Sequence, residues 1–189
     1  MIAKAGIIAL ASIVLVSMTL VDDDEVLEVA KLRLSIGRTR TMIGVGNELE
    51  SHELFVIVQN VSEGPVKIWD QWNSWGYHNI TLSLKYEDGK TVELKRFGGM
   101  IWHQNAPDTI QLAPDEQYVY LVRLKPKDEG QRTNSWGPIG VRNGDHPTVE
   151  MQAHFRIPSD DTTKLKDVWV GEISSKPASI ALIKEEPLR

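Results

Sequence analysis

The feature that most constrains this chain is a two-residue alternation of apolar and polar side chains. Its longest instance lies at residues 149–157, where every odd position is apolar and every even position is polar. A shorter instance at residues 80–86 is followed by Asp88-Gly89, a pair typical of tight hairpin turns. Because successive side chains of a strand point to opposite faces, this pattern predicts half-buried strands with one wet face.

Strands are predicted along most of the chain beyond residue 26. Apolar runs bounded by turn-forming residues predict further strands at Leu27–Ile36, Glu53–Gln59, Val66–Trp69, Val92–Leu94, Gln117–Lys125, Val168–Ser174 and Ala178–Ile183. No segment shows sustained helical periodicity, so the fold class is predicted to be all-β, an antiparallel two-sheet sandwich. The segments 70–79, 98–107 and 127–147 are predicted to be long loops, where function tends to reside.

The first 26 residues have the order of an export signal. Lys4 precedes 17 apolar or small residues, and an acidic cluster follows them. Residues 1–21 are therefore predicted to be a signal peptide or a retained membrane helix, residues 22–26 an acidic linker, and residues 27–189 one domain. We expect the domain to be periplasmic, at the cell surface or secreted, with membrane contact only through the N-terminal segment.

Charge and cysteine content argue against several classes of protein. The formal net charge is -5 and no dense run of Lys or Arg occurs, whereas nucleic-acid binding needs a clustered basic surface. The neighbouring pair Lys95 and Arg96 is predicted to be solvated. The chain has no cysteine, which excludes disulfides, thiolate catalysis and cysteine-ligated zinc.

Three sequence runs resemble bacterial immunoglobulin-like domains. Residues 54–66 (LFVIVQNVSEGPV) resemble their second and third strands, in which an apolar strand ends in an Asn-x-Ser turn and restarts at Pro-Val. Residues 110–116 (IQLAPDE) are similar to their Leu-x-Pro-Gly-Glu turn, with Asp115 at the usual glycine. Residues 169–177 (WVGEISSKP) are similar to the closing strands of uncharacterised exported bacterial proteins of this type. The resemblance implies an immunoglobulin-like β-sandwich, distantly similar to the bacterial intracellular proteinase inhibitor domain, and it assigns no catalytic or binding residue.

The segment 69–77 holds an unusual concentration of aromatic residues. Polar side chains lie among the rings, and aromatic residues of other loops could converge on them. The candidate ligand or partner surface consists of Trp69, Asp70, Trp72, Asn73, Trp75, Tyr77, Trp102, His103 and Trp136. Flat rings beside amide and carboxylate groups are typical of surfaces that bind sugars or peptides. The alternative is that the tryptophans fill the open end of the sandwich as core residues.

The predicted strand Leu54–Val58 is apolar on both faces, which a two-layer sandwich does not require. Something must therefore cover Phe55 and Ile57. The cover is either a segment of the same chain, such as residues 41–49, or a partner protein, which an exposed apolar sheet face favours.

No residue pattern predicts catalysis, a cofactor or a metal site. The five histidines form no metal-binding spacing, and the sequence lacks both a nucleophile elbow and a phosphate-binding glycine loop. The sequence favours a non-catalytic extracytoplasmic interaction module, an accessory or structural subunit that docks on another protein at the membrane. The alternatives are a carbohydrate-binding module that holds a polysaccharide with the loop tryptophans, and a proteinase inhibitor that presents residues 98–107.

Overall fold

The computed structural model describes residues 31–38, 42–45, 54–98, 105–126, 134–141 and 147–184. These residues form thirteen strands and one short helix, so the all-β prediction is confirmed. The strands are β1 Leu32–Arg38, β2 Met42–Val45, β3 Leu54–Asn60, β4 Val66–Trp69, β5 Ile80–Tyr86, β6 Thr91–Phe97, β7 Thr109–Leu112, β8 Gln117–Val122, β9 Leu124–Pro126, β10 Ser135–Ile139, β11 Thr148–Ile157, β12 Gly171–Ser174 and β13 Ala178–Lys184. The helix, α1, is Asp161–Lys166.

The largest sheet closes on itself through β11. One edge of β11 pairs antiparallel with β5, from Val149 opposite Tyr86 to Phe155 opposite Ile80. Its other edge pairs with β13 and then with β12. The order β11-β13-β2-β9-β10-β6-β5 returns to β11, and β12 extends the sheet outside this ring. Closure removes free strand edges from the ring, because each member has a neighbour on both sides.

A second sheet of three strands lies against the closed one. Its order is β1-β3-β8, and all its pairs are antiparallel. Alternate residues of β3 are buried, and Tyr120 of β8 lies 6.3 Å from Phe155 of β11, measured between ring centroids. β4 and β7 form a separate two-stranded sheet whose Ile68 and Leu112 join the same buried cluster. The three sheets therefore share one hydrophobic core.

The predicted strands correspond to observed ones, with differences at their ends. Val66–Trp69 and Ile80–Tyr86 have the predicted bounds, whereas the strand predicted at Val168–Ser174 begins only at Gly171. The strand predicted at Gln117–Lys125 divides at Arg123 into β8 and β9. Strands β2, β7 and β10 and helix α1 were not predicted, and β10 lies in a segment predicted to be a loop.

The immunoglobulin-like sandwich stays a prediction, because the pairing observed is a closed ring with a three-stranded sheet beside it. The predicted N-terminal segment, residues 1–21, and the linker, residues 22–26, lie outside the described residues. No helix in the described ranges is long and apolar enough to cross a membrane.

Candidate functional site: a buried arginine among aromatic rings

The loop between β4 and β5 is shaped by two of the predicted site residues. Asp70 Oδ1 accepts a hydrogen bond from the backbone N–H of Trp72 at 3.1 Å. Asn73 Oδ1 accepts from the N–H groups of Trp75 and Gly76, at 3.0 and 2.9 Å, while its Nδ2 donates to the carbonyl oxygen of Asp108 at 2.8 Å. Side chains of this kind stabilise turns by replacing backbone partners. Asp70 and Asn73 therefore build the loop that positions the aromatic residues.

Gly76 allows this loop to be so tight. A Cβ at position 76 would lie 2.0 Å from the carbonyl oxygen of Asp70, far inside van der Waals contact. The close approach brings the backbone of the loop back onto its own start. Only glycine fits there, because any side chain would push the two backbone segments apart.

The loop and strand aromatics divide into buried and exposed groups. Trp69, Tyr77 and Trp136 are each only 1% exposed, and Trp75 is half-buried with its ring centroid 6.1 Å from that of Trp69. Trp72 is 52% exposed. Three of these rings are therefore core residues, which is the alternative that the sequence left open. Among the described rings of this group, Trp72 is the one exposed to solvent. Trp102 and His103 lie outside the described residues.

The buried and exposed rings meet at Arg96. Its guanidinium carbon lies 4.0 Å from the ring centroid of Tyr77 and 5.1 Å from the ring centroids of both Trp72 and Trp136. Cations are attracted to the faces of aromatic rings, most strongly where water is excluded. The side chain is only 5% exposed, so Trp72 covers a cation that is almost completely buried.

Two hydrogen bonds join Arg96 to other described residues. Nη1 donates to the carbonyl oxygen of Gln71 at 3.3 Å, and Nη2 donates to Oδ1 of Asn134 at 3.1 Å. Nε is buried and has no partner. Tyr77 helps to orient Asn134, because its hydroxyl oxygen lies 3.0 Å from Asn134 Oδ1.

No carboxylate of the described ranges pairs with Arg96. On the strand of Arg96 itself Lys95 pairs with Glu93, and further along the sheet Arg156 pairs with Glu172. Burial lowers the pKa of Arg96, and the surrounding tyrosines partly oppose this. The pKa of His78 is also lowered, first by burial and then by the charge of Arg96. Burying a cation is costly, and among the described residues the faces of three aromatic rings and two acceptor oxygen atoms offset part of that cost at Arg96.

The prediction that Arg96 is solvated is wrong, because the residue is only 5% exposed. The signal was nevertheless available, because Val92, Leu94 and Arg96 occupy alternate positions of one strand and so share a face. Leu94 is fully buried, and Arg96 follows it into the interior. Lys95 points the other way and is exposed, as predicted.

The outer face of the three-stranded sheet carries the second candidate surface. Phe55 and Ile57 of β3 are half-buried there, and their cross-strand neighbours on β8 are Leu121 and Val119. Val119 is 45% exposed. These four side chains form a two-by-two apolar block, hereafter the outer apolar block. Cross-strand neighbours are the closest contacts on a sheet face, so the block is continuous.

A serine–histidine–serine array lies on the outer face of the closed sheet. Ser83 Oγ lies 3.0 Å from Nε2 of His154, and Ser174 Oγ lies 2.8 Å from Nδ1 of the same ring. A serine nucleophile also needs N–H donors for an oxyanion. β5 and β11 are paired on both edges, which engages their backbone N–H groups. In the described region the histidine is well oriented, and β5 and β11 offer it no oxyanion site.

Comparison of the chain with protein-family models, with curated proteins and with solved structures finds no match.

Proposed function

We propose that this protein is a non-catalytic interaction module outside the cytoplasm, an immunoglobulin-like sandwich that docks on another protein at the membrane. The observation that carries the proposal is the outer apolar block. The solvent face of an antiparallel sheet normally carries polar side chains. Here Val119 of the edge strand β8 is 45% exposed, beside the half-buried Ile57 of the central strand β3.

The surroundings of the block support a protein partner. Two residues further along β3, the same face carries a row of three polar cross-strand neighbours, Arg33, Gln59 and Gln117. An apolar centre beside a polar, hydrogen-bonding row has the composition of a protein interface with its core and rim. Docking would remove Val119 and its neighbours from water, and burial of apolar area is the main driving force for such association.

The location is supported by the sequence alone. Lys4, the apolar run and the acidic cluster give residues 1–25 the order of an export signal. We expect the chain in the envelope or culture fraction of the cells that make it. Recovery only in the cytoplasmic fraction would contradict this part of the proposal.

Site-specific photocrosslinking tests the docking face. A photoreactive amino acid at Val119 should give one discrete covalent adduct in cells that export the protein. The matched control is Val170, a valine that is similarly exposed, at 41%, and lies outside the three-stranded sheet. Leu121→Ser should abolish the adduct at position 119, because it interrupts the apolar block.

Three results would contradict the proposal. Equal adducts at positions 119 and 170 would mean non-selective contact, and no adduct at position 119 would mean that this face meets no partner. An adduct of twice the chain mass would mean that the face joins two copies, in place of a different protein.

A further inference from the structure

Strand β12 has one free edge among the described residues. The sheet order places β11 on one side of β12 and no described strand on the other. The backbone N–H of Ser175 donates to the carbonyl oxygen of Ala153 at 2.9 Å, so the chain is hydrogen-bonded to β11 at this position. Such bonds recur at every second residue of an antiparallel ladder, so Ile173 is bonded to β11 as well. The backbone N–H and C=O groups of Glu172 and Ser174 therefore point to the free edge.

This free edge is accessible, and β2 covers the same side of the chain further along. Glu172 and Ser174 are both exposed residues. After residues 175–177 the chain continues as β13, which also pairs with β11, and β2 covers the other side of β13 at residues 181–184. Among the described strands, the layer beside β12 and β13 is therefore filled at one end and open at the other. Unpaired edge backbone of this kind is a template for pairing with another chain.

A groove with a volume of about 960 Å³ adjoins the free edge and is hereafter called the edge groove. Strand β1 forms one wall, and Ile173, Ser174 and residues 176–178 form the other. Its apolar lining includes Val61, which is 39% exposed, and the half-buried Ile173. Every second side chain of a strand added to β12 would point to the side of the sheet on which Ile173 lies, and so into this groove.

The charged side chains among the described residues of the edge groove are both cations. They are Arg33 of β1 and Lys176, and both residues are exposed. No ion pair joins either of them to another described residue. Charges that face each other across an interface are normally of opposite sign, so these two cations favour a ligand with acidic groups beside its apolar ones.

We propose that the edge groove binds an extended segment of a partner protein, in which acidic residues flank apolar residues at alternate positions. The segment adds a strand to β12 by pairing its backbone with Glu172 and Ser174. Its apolar side chains enter the groove beside Val61, and its acidic side chains face Arg33 and Lys176. In recognition of this type the backbone hydrogen bonds give affinity and the alternate side chains give specificity.

The test uses the synthetic peptide acetyl-ETVTVTE-amide as the probe. As a strand, this peptide carries its two valines and two glutamates on one face and its three threonines on the other. The control, acetyl-EVVTTTE-amide, has the same composition and charge but places its valines on opposite faces. NMR titration should give a dissociation constant of about 1 mM or below for the probe. The control should bind at least about tenfold more weakly, because only one of its valines can enter the groove.

Amide hydrogen exchange in the unmodified protein tests whether the probe adds a strand. At saturation with the probe, the amides of Glu172 and Ser174 should exchange at least about tenfold more slowly than in the free protein. The amide of Ile173 is the internal control, because it is bonded to β11 and should be protected without the probe. This measurement requires no variant to fold.

Charge reversal tests the selection of acidic segments. Lys176→Glu should weaken binding of the probe at least about fivefold, because an attraction becomes a repulsion. The same variant should bind acetyl-KTVTVTK-amide more tightly than the unmodified protein does. Lys90→Glu is the matched control, since Lys90 is also exposed and lies outside the lining of the edge groove, and it should leave both affinities unchanged. Thermal unfolding checks that each variant is folded.

Three outcomes would overturn the inference. The first is binding of the probe no tighter than that of the control. The second is binding that leaves exchange at Glu172 and Ser174 unchanged. The third is full protection of these two amides in the free protein, which would show that the edge is already paired within this chain or with a second copy.

The edge groove can fail or hold independently of the docking face in the proposed function. None of the four residues of the outer apolar block lines the edge groove. Leu121→Ser, which interrupts that block, should therefore bind the probe as tightly as the unmodified protein. Lys176→Glu should in turn leave the photocrosslinked adduct at position 119 unchanged.

Discussion

Two neighbouring tyrosines of β8 show how much a single hydroxyl contributes. Tyr118 accepts a hydrogen bond from Gln71 Nε2 and donates one to Asp70 Oδ1, both at 3.2 Å. Tyr120 is 1% exposed, and its hydroxyl has no hydrogen-bond partner among the described residues. Burial raises the pKa of both phenols, and the rise is larger for the fully buried Tyr120. The hydroxyl of Tyr118 therefore has hydrogen-bond partners among the described residues, whereas that of Tyr120 has none.

We expect Tyr120→Phe to stabilise the protein by about 1 kcal/mol, because it removes a buried polar atom without creating a cavity. Tyr118→Phe is the matched variant and should destabilise the protein by about 1 kcal/mol, since Gln71 and Asp70 both lose a partner. Urea unfolding measures both changes. Destabilisation by Tyr120→Phe would show that the hydroxyl has a partner, such as a bound water, in solution.

Arg96 shows which part of the candidate site the sequence could have yielded. Period-two alternation through Val92 and Leu94 assigns it to the buried face, and this follows from the sequence alone. Its contacts with Trp72 and Trp136 do not follow, because they join residues 24 and 40 positions away along the chain. Contacts over such separations depend on how strands pair, which local patterns leave open.

Among the described connecting segments, the β4–β5 loop has the closest steric approach at a glycine. We expect Gly76→Ala to destabilise the protein by about 3 kcal/mol, because the added Cβ would lie 2.0 Å from the carbonyl oxygen of Asp70. Trp72, which this loop positions, should then lose its contact with Arg96. Thermal unfolding and tryptophan fluorescence measure the two effects.

Gly64→Ala is the control for this substitution. A Cβ at position 64 meets nothing within 4 Å, so the change should alter stability by less than about 0.5 kcal/mol. Equal effects at the two glycines would mean that Gly76 is not held against Asp70 as described.

The strands that the sequence missed are short or interrupted, but length alone does not explain the misses, because β4 also has four residues and was predicted with its observed bounds. β11, with ten residues, shows its alternation clearly, whereas β2 and β7 have four residues each and β10 contains both Gly137 and Pro138. Helix α1 has six residues, too few for helical periodicity to show. Its signal was the reciprocal cap between Asp160 and Thr163, which marks where a helix begins.

On the scale of the whole molecule, the two larger sheets differ in their edges. The closed sheet has neighbours on both sides of every strand in the ring, whereas β1 ends the three-stranded sheet. The carbonyl oxygen of Lys31 accepts a hydrogen bond from the backbone N–H of Val61, so these two residues form a hydrogen-bonded pair. Such pairs recur at every second residue of an antiparallel ladder, so Ser35 forms one with Ile57. The backbone N–H and C=O of Leu34, between them, therefore point to the unpaired edge of the sheet.

Hydrogen exchange should follow this difference in edges. We expect the slowest amide exchange where β5 meets β11, at residues such as Leu82 and Met151, which are fully buried and lie in strands paired on both sides. Within β1, the amide of Ser35 should exchange at least about tenfold more slowly than that of Leu34, although the side chain of Leu34 is the buried one. NMR of the uniformly labelled domain measures each amide separately. Protection of Leu34 equal to that of Leu82 would show that another strand covers the edge of β1, and the three-stranded sheet would then have a fourth member.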